Sequence, residues 1–283
     1  MCPWAEPFLY RISLERDPAF LAARRAAAVA RLNAGAARWR EWATAIAELS
    51  VEGSSSLLEV MIAALTVTDF IEVTFKKAAD FAGFLFPGEL HIERARFEQE
   101  AYFNACTFFG SANFHDAVFA KRGAWFENSE FDRDAVFAHT QWKGAAEFRS
   151  TAFEGVLNFA DAVFEKDLWI ADAVFRRLAD FSRASFAEAA GFSSSIFLGR
   201  VTFTDACFEG SAGFTDTIFG SSVSFERAIF ESKAWFNRCR FDDAACFNLA
   251  EFRGDADFHD VDLAPQTGAD ASRLSELQRR FGS

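Results

Sequence analysis

The sequence predicts an all-β solenoid, and three observations carry that prediction. Phe makes up 37 of 283 residues, against 2 Tyr and 2 Met. A core dominated by one residue type points to one packing site repeated many times. These Phe recur at alternating steps of five and six residues, as in "VTFTDACFEGSAGFTDTIF" from Val201 to Phe219. The position two before each is almost always Ala, Ser, Thr, Cys or Val; Phe84, Leu90, Leu157 and Leu168 are the exceptions.

The ladder runs from Phe70 to Leu263 in 36 centres, all Phe except Ile92, Trp142, Ile170 and Leu263. The unit is therefore 11 residues, A-x-F-x-x-A-x-F-x-x-x, with one step of seven from Phe119 to Phe126 across "AKRG". An 11-residue period also describes a right-handed coiled coil. On a helix, however, the two Phe of a unit would lie about 140° apart and close no stripe. An extended chain satisfies the pattern. A centre and the residue two before it point into a core, while the residues on either side of the centre look outward. Polar and small residues such as "TD" and "EGS" supply corners between short sides.

The chain divides into three parts on this reading. Residues 1–66 form a helical N-terminal cap region, because "DPAFLAARRAAAVARLNAGAARWREWATAIAEL" is rich in Ala and Arg. Leu32, Trp39, Trp42, Ile46 and Leu49 fall on one face there, and "LLEVMIAAL" (57–65) reads as a second short helix. Residues 67–263 are the repeat. In 264–283, Pro265 and Gly268 break the pattern and "SRLSELQRRF" (272–281) puts Leu274, Leu277 and Phe281 on one side of a helix. A solenoid exposes unpaired backbone and core at both ends, so both helical segments are expected to act as caps.

Units such as "ADFAG" (79–83), "ANFHD" (112–116), "ADFSR" (179–183) and "ADFHD" (256–260) resemble pentapeptide repeat proteins. That family's pattern is a small residue, Asp or Asn, a central Leu or Phe, then two polar residues. The resemblance covers about residues 66 to 263 and implies a right-handed quadrilateral β-helix with four repeats per coil. The extra residue after every second unit lengthens the coil from 20 residues to 22. The 36 centres then give about nine coils. At about 4.8 Å per coil the rod is about 43 Å long.

Composition excludes several functions. The net charge is −12, which disfavours direct nucleic-acid binding, since that needs basic surface against phosphates. The charge sits on the repeat, where 19 Lys and Arg face 32 Asp and Glu; the flanking segments are close to neutral. The five Cys (2, 106, 207, 239 and 246) form no C-x-x-C pair, and no signal peptide is evident, so a reducing cytoplasm is expected. The longest apolar run, Leu57 to Val67, contains Glu59 and is too short to span a bilayer, so no membrane association is expected.

No catalytic constellation stands out. G-x-S-x-G, P-loop and H-E-x-x-H patterns are absent from the sequence. His115, Asp116 and His139 should lie close together on adjacent coils and read as a solvated polar corner. Cys207 and Cys246 should face outward, whereas Cys106 and Cys239 should pack as small core residues. No catalytic, cofactor or metal residue is assigned, and the chain is not expected to be an enzyme.

The outward positions say more. Two residues after the first-column centres the coils read Glu72, Arg94, Asp116, His139, Asp161, Arg183, Asp205, Arg227 and Leu249, a ladder of alternating charge. Apolar residues that should face water form a candidate partner surface: Tyr102, Trp125, Trp169 and Trp235 on the third column, and Val174, Ile196 and Ile218 on the fourth. A loop-free rod with flat faces and no deep pocket suits a non-catalytic scaffold or protein-binding module. The resemblance adds an alternative, since some relatives imitate duplex DNA and bind type II topoisomerases such as gyrase. A homodimer through an apolar face or the terminal caps is a further possibility.

Overall fold

The computed structural model describes residues 17–49, 66–120, 122–264 and 268–281. Between Thr68 and Leu263 the chain winds through 36 two-residue strands. They assemble into four parallel sheets of nine strands, one per side of each coil. Register partners confirm the 22-residue coil: Val201 faces Val223 and Ile196 faces Ile218. The "AKRG" interruption lengthens one turn by a residue, so that Ala112 faces Ala135. Gly123 absorbs it with φ 96°, and a Cβ there would stand 2.8 Å from the Ala145 carbonyl oxygen. The next coil therefore forbids a side chain at this bend.

The five-and-six alternation has a backbone cause. After every first- and third-column centre the chain turns with a left-handed residue two places on. Asp205 (φ 59°) and Asp216 (φ 60°) are examples, and 17 non-glycine residues share the conformation. The amide of the third residue then bonds back to the centre's carbonyl, as Ala206 N does to Phe203 O at 3.0 Å. This is a type II turn, and it needs only five residues per side. The second- and fourth-column corners lack this left-handed residue and take a sixth residue instead. Several carry Gly where coils approach closely; a Cβ on Gly199 would meet the Arg177 carbonyl oxygen at 2.2 Å.

Inside, the rings stack coil on coil. In the first column Phe181, Phe203 and Phe225 lie nearly parallel with centroids 4.9 and 5.0 Å apart. Third-column rings meet them edge-on, as Phe214 meets Phe203 at 5.4 Å and 80°. The strand spacing thus sets the stack, and the edge contacts supply the favourable quadrupole geometry. The large residues at normally small positions compensate for volume lost elsewhere. Leu90 precedes Ile92 and Leu168 precedes Ile170, the two centres where Ile replaces a ring, and Leu157 shares the coil of Ile170. Phe84 lies in the first coil, where no earlier coil crowds it.

A polar ladder runs through this apolar core. Ser129, Thr151, Ser195 and Thr217, each two before a fourth-column centre, are buried. Their hydroxyls donate to third-column carbonyls one coil back, as Thr217 Oγ1 does to Phe192 O at 2.9 Å. Cys106 and Cys239 occupy the same position, buried as expected, and donate their thiols to Phe81 O and Phe214 O.

The ends are covered by helices. The Ala- and Arg-rich segment forms two of them, α1 (Pro18–Asn33) and α2 (Ala36–Leu49), separated at Gly35 with φ 89°. Asp17 caps α1 by accepting from Ala19 N at 2.8 Å. Trp39 of α2 is fully buried against Phe84 and Phe86, and its indole N–H donates to Leu85 O at 2.8 Å. It plugs the first coil. Buried Asp69, an outward position by register, pairs with Arg24 and Arg25 of α1, each at 3.3 Å. The helix expected over 57–65 lies outside the described residues. At the other end α3 (Gly268–Phe281) buries Leu277, sets Phe281 against Phe252 and bonds Arg273 to Ala250 O.

Candidate interaction surface

All seven residues of the expected partner surface lie on strands, point away from the core and are half-buried. On the fourth face Val174, Ile196 and Ile218 are direct register partners over three successive coils. Leu198, immediately after a fourth-column centre, extends this aliphatic patch and is 47% exposed. Sequence reasoning passed over it, although its place next to a centre already made it outward-facing. The patch ends at Arg240, the register partner of Ile218, which pairs with Asp242 at 2.9 Å.

The third face is not one stripe. Tyr102 and Trp125 are register partners whose rings stack at 5.0 Å and 15°. Glu147 then interrupts, standing in register between Trp125 and Trp169. Burial holds its carboxyl above the usual range, with the nearby Arg149 opposing that shift. Beyond it come Trp169, Gly191, Gly213 and Trp235 on successive strands. The Trp169 ring lies over Gly191, where a Cβ would approach its Cε3 to 2.5 Å. A groove of about 450 Å³ results, with glycine backbone as its floor and the two indoles among its lining residues.

The charge ladder is present as read. Arg183 grips Asp161 with two bonds of 2.8 and 2.6 Å, Arg227 grips Asp205 likewise, and Arg94 reaches Glu72 at 3.0 Å. The third column carries a further pair, Arg238 with Asp216. These carboxylates and guanidiniums sit on the left-handed turn residues, so each pair bridges two successive corners. Exposed pairs of this kind contribute little to stability. Their main effect is to neutralise the acidic columns locally.

The polar corner forms too. The rings of His115 and His139 are 5.1 Å apart, His115 Nε2 lies 3.3 Å from Asp116, and His139 lies 3.9 Å from Asp161. Asp161 is already engaged by Arg183. Among the described residues no group of three or more His, Cys, Asp or Glu could hold a metal ion. His91 was not singled out by the sequence. It bridges Glu89 at 3.2 Å and Glu93 at 3.1 Å, and these hydrogen bonds raise its pKa to about 9. Burial pushes the Cys106 and Cys239 thiols up to about 12, which leaves them unreactive near neutral pH. Cys207 and Cys246 face outward and are half-buried. Among the described residues no helix is long and apolar enough to cross a membrane.

Residues 92–141 and 170–218 match the family model for pentapeptide repeats (9 copies). No curated protein and no solved structure matches the chain.

Proposed function

Because this chain winds pentapeptide repeats into a four-sided β-helix, we propose that it is a non-catalytic scaffold that binds a protein partner through its third and fourth faces. The observation that carries this reading is the in-register patch of Val174, Ile196 and Ile218, extended by exposed Leu198. Branched side chains favour flat strands even without a partner. Yet a run of adjacent aliphatic residues beside a tryptophan-lined groove is the composition of an interface centre with a polar rim. The long parallel faces offer a partner area rather than an enclosed pocket, which suits binding better than catalysis. The partner works in the cytoplasm on this reading, and a second copy of the chain is one form it can take.

The alternative, imitation of DNA before a type II topoisomerase, draws support from the acidity of the coils. The Arg–Asp pairs count against it. Bonds such as Arg227 to Asp205 and Arg238 to Asp216 break each acidic column into neutral units, whereas duplex DNA presents an unbroken line of negative charge. Purified protein tested in a gyrase supercoiling assay separates the two readings, because only the mimic would inhibit or protect at micromolar concentration. Retention of partners by wild type but not by Ile196→Asp or Ile218→Asp tests the scaffold reading; unchanged partners and an unchanged oligomeric state would rule the patch out.

A further inference from the structure

We propose that the groove between Trp169 and Trp235 is a slot for a planar cation, the guanidinium of an arginine side chain presented by a basic peptide. This deepens the scaffold reading and rests on it for the identity of the partner as a protein.

The slot follows from the register. Trp169, Gly191, Gly213 and Trp235 occupy successive strands, so three steps of about 4.8 Å separate the two tryptophan backbones. The Trp169 ring covers Gly191 and uses up the first step. Above Gly213 the three atoms nearest to a notional Cβ are Ser193 Oγ at 3.6 Å and Ala190 O and Gly191 Cα at 3.9 Å, and none of them belongs to Trp235. From the Trp169 ring over Gly191 to the Trp235 backbone is two strand steps, about 10 Å. A flat group seated between two indoles needs about 3.5–4.0 Å on each side. One planar layer fits this spacing.

The chemistry of the lining selects the charge. Among the described residues that line the groove none is Lys or Arg, and the single charged group is Asp257. Asp257 is the register partner of Trp235 and half-buried. Thr215 and Ser211 add hydroxyl oxygens at the rim. An anion would meet this carboxylate on a rod that is itself negative. A guanidinium would lay its faces against the indoles and direct its edge N–H groups at the Ser211 and Thr215 oxygens, while the Asp257 carboxylate, one strand beyond Trp235, adds a favourable field from outside the slot. The chain already uses both rings this way. Arg149 sits 5.6 Å from the Trp169 ring and Lys233 sits 5.4 Å from the Trp235 ring, and neither residue lines the groove.

The test is calorimetric titration of the full chain with three probes: the peptide acetyl-Gly-Arg-Gly-amide, its citrulline analogue and cellobiose. Citrulline keeps the planar shape and removes the charge. The arginine peptide should bind about tenfold more tightly than the citrulline peptide, and cellobiose should not bind. Gly213→Leu should abolish binding while leaving the circular dichroism spectrum and melting temperature unchanged, since a Cβ at Gly213 meets only ordinary contacts. Trp235→Ala and Asp257→Asn should each weaken it. Equal binding of both peptides, preference for the sugar, or no heat from the arginine peptide at millimolar concentration would each overturn the slot. None of these results bears on the aliphatic patch, whose Ile196→Asp test concerns the adjoining fourth face and fails or succeeds separately.

Discussion

Phe203→Ala should be among the most damaging single truncations in the rod. Phe203 is fully buried in the middle of the first-column stack. It loses two parallel neighbours, Phe181 at 4.9 Å and Phe225 at 5.0 Å, and two edge neighbours, Phe192 at 5.2 Å and Phe214 at 5.4 Å. Burial of one Phe contributes about 1.5–3 kcal/mol by transfer. Each aromatic pair adds about 0.5–1.5 kcal/mol beyond area. Part of this overlaps, and a Phe-to-Ala cavity costs about 3–5 kcal/mol in measured cores. Collapse is hindered because strand hydrogen bonds, such as Phe203 N to Ser224 O at 2.7 Å, hold the coils apart. A cost near 4 kcal/mol is therefore expected. Urea unfolding followed by far-ultraviolet circular dichroism gives the total. Hydrogen exchange should show the loss concentrated in the coils next to Phe203, because each repeat contacts only its neighbours. Phe203→Leu, which retains much of the volume, should cost about 1–1.5 kcal/mol. A loss below about 1 kcal/mol for Phe203→Ala, or one spread evenly along the rod, would refute the idea that the stacks hold the coils together.

Four further outcomes are expected. Ala212→Leu, fully buried between Ala190 and Ala234 in register, should overpack its coil and cost about 1–3 kcal/mol by urea unfolding. Thr217→Val keeps the shape but removes the hydroxyl that donates to Phe192 O, and should lower stability by about 0.5–1.5 kcal/mol. Leu249 is 66% exposed and held at φ 56°, so Leu249→Asn should raise stability by about 0.5–1 kcal/mol and a lower melting temperature would argue against strain at that corner. His91 has its pKa raised from 6.5 to about 9 by Glu89 and Glu93, so its contribution is complete below pH 6.5 and fades as pH rises through about 9. Comparing urea midpoints at about pH 6 and about pH 9.5, wild type should lose up to about 3 kcal/mol more than His91→Gln does.

Much of this architecture could be read from residue order because a solenoid repeats one local decision. The Phe spacing and the small residue two before each centre record which side chains enter the core, and 22-residue register follows from them. The turn chemistry is fainter. Asp116, Asp161, Asp205 and Asp216 suit a left-handed corner, yet Arg94, Arg183, Arg227 and Leu249 occupy the same position and hide the signal. Tertiary context overrides their preference, since hydrogen bonds to the next coil hold these corners, as Arg183 N donates to Thr204 O and Arg227 N to Asn248 O. Features that depend on contact between columns or segments were also hidden. Trp39 reads as one residue of an amphipathic face but is the plug of the first coil. Asp69 reads as outward but is covered by α1. On the third face the aromatic residues were visible one at a time. Neither Glu147 dividing them nor the gap left by Gly191 and Gly213 emerges until the strands are laid side by side.

The proposal that the third and fourth faces bind a protein is tested most directly by quantitative affinity capture with face-specific variants. Ile196→Asp with Ile218→Asp disrupts the aliphatic patch, Trp235→Ala opens the tryptophan-lined groove, and Ser185→Asp alters an outward residue of the second face as a control. All variants should show wild-type circular dichroism and melting. The expected result is a partner retained by wild type and by Ser185→Asp and lost from the fourth-face double variant, with Trp235→Ala weakened. Identical partners and amounts on all four proteins, with the oligomeric state unchanged, would contradict it.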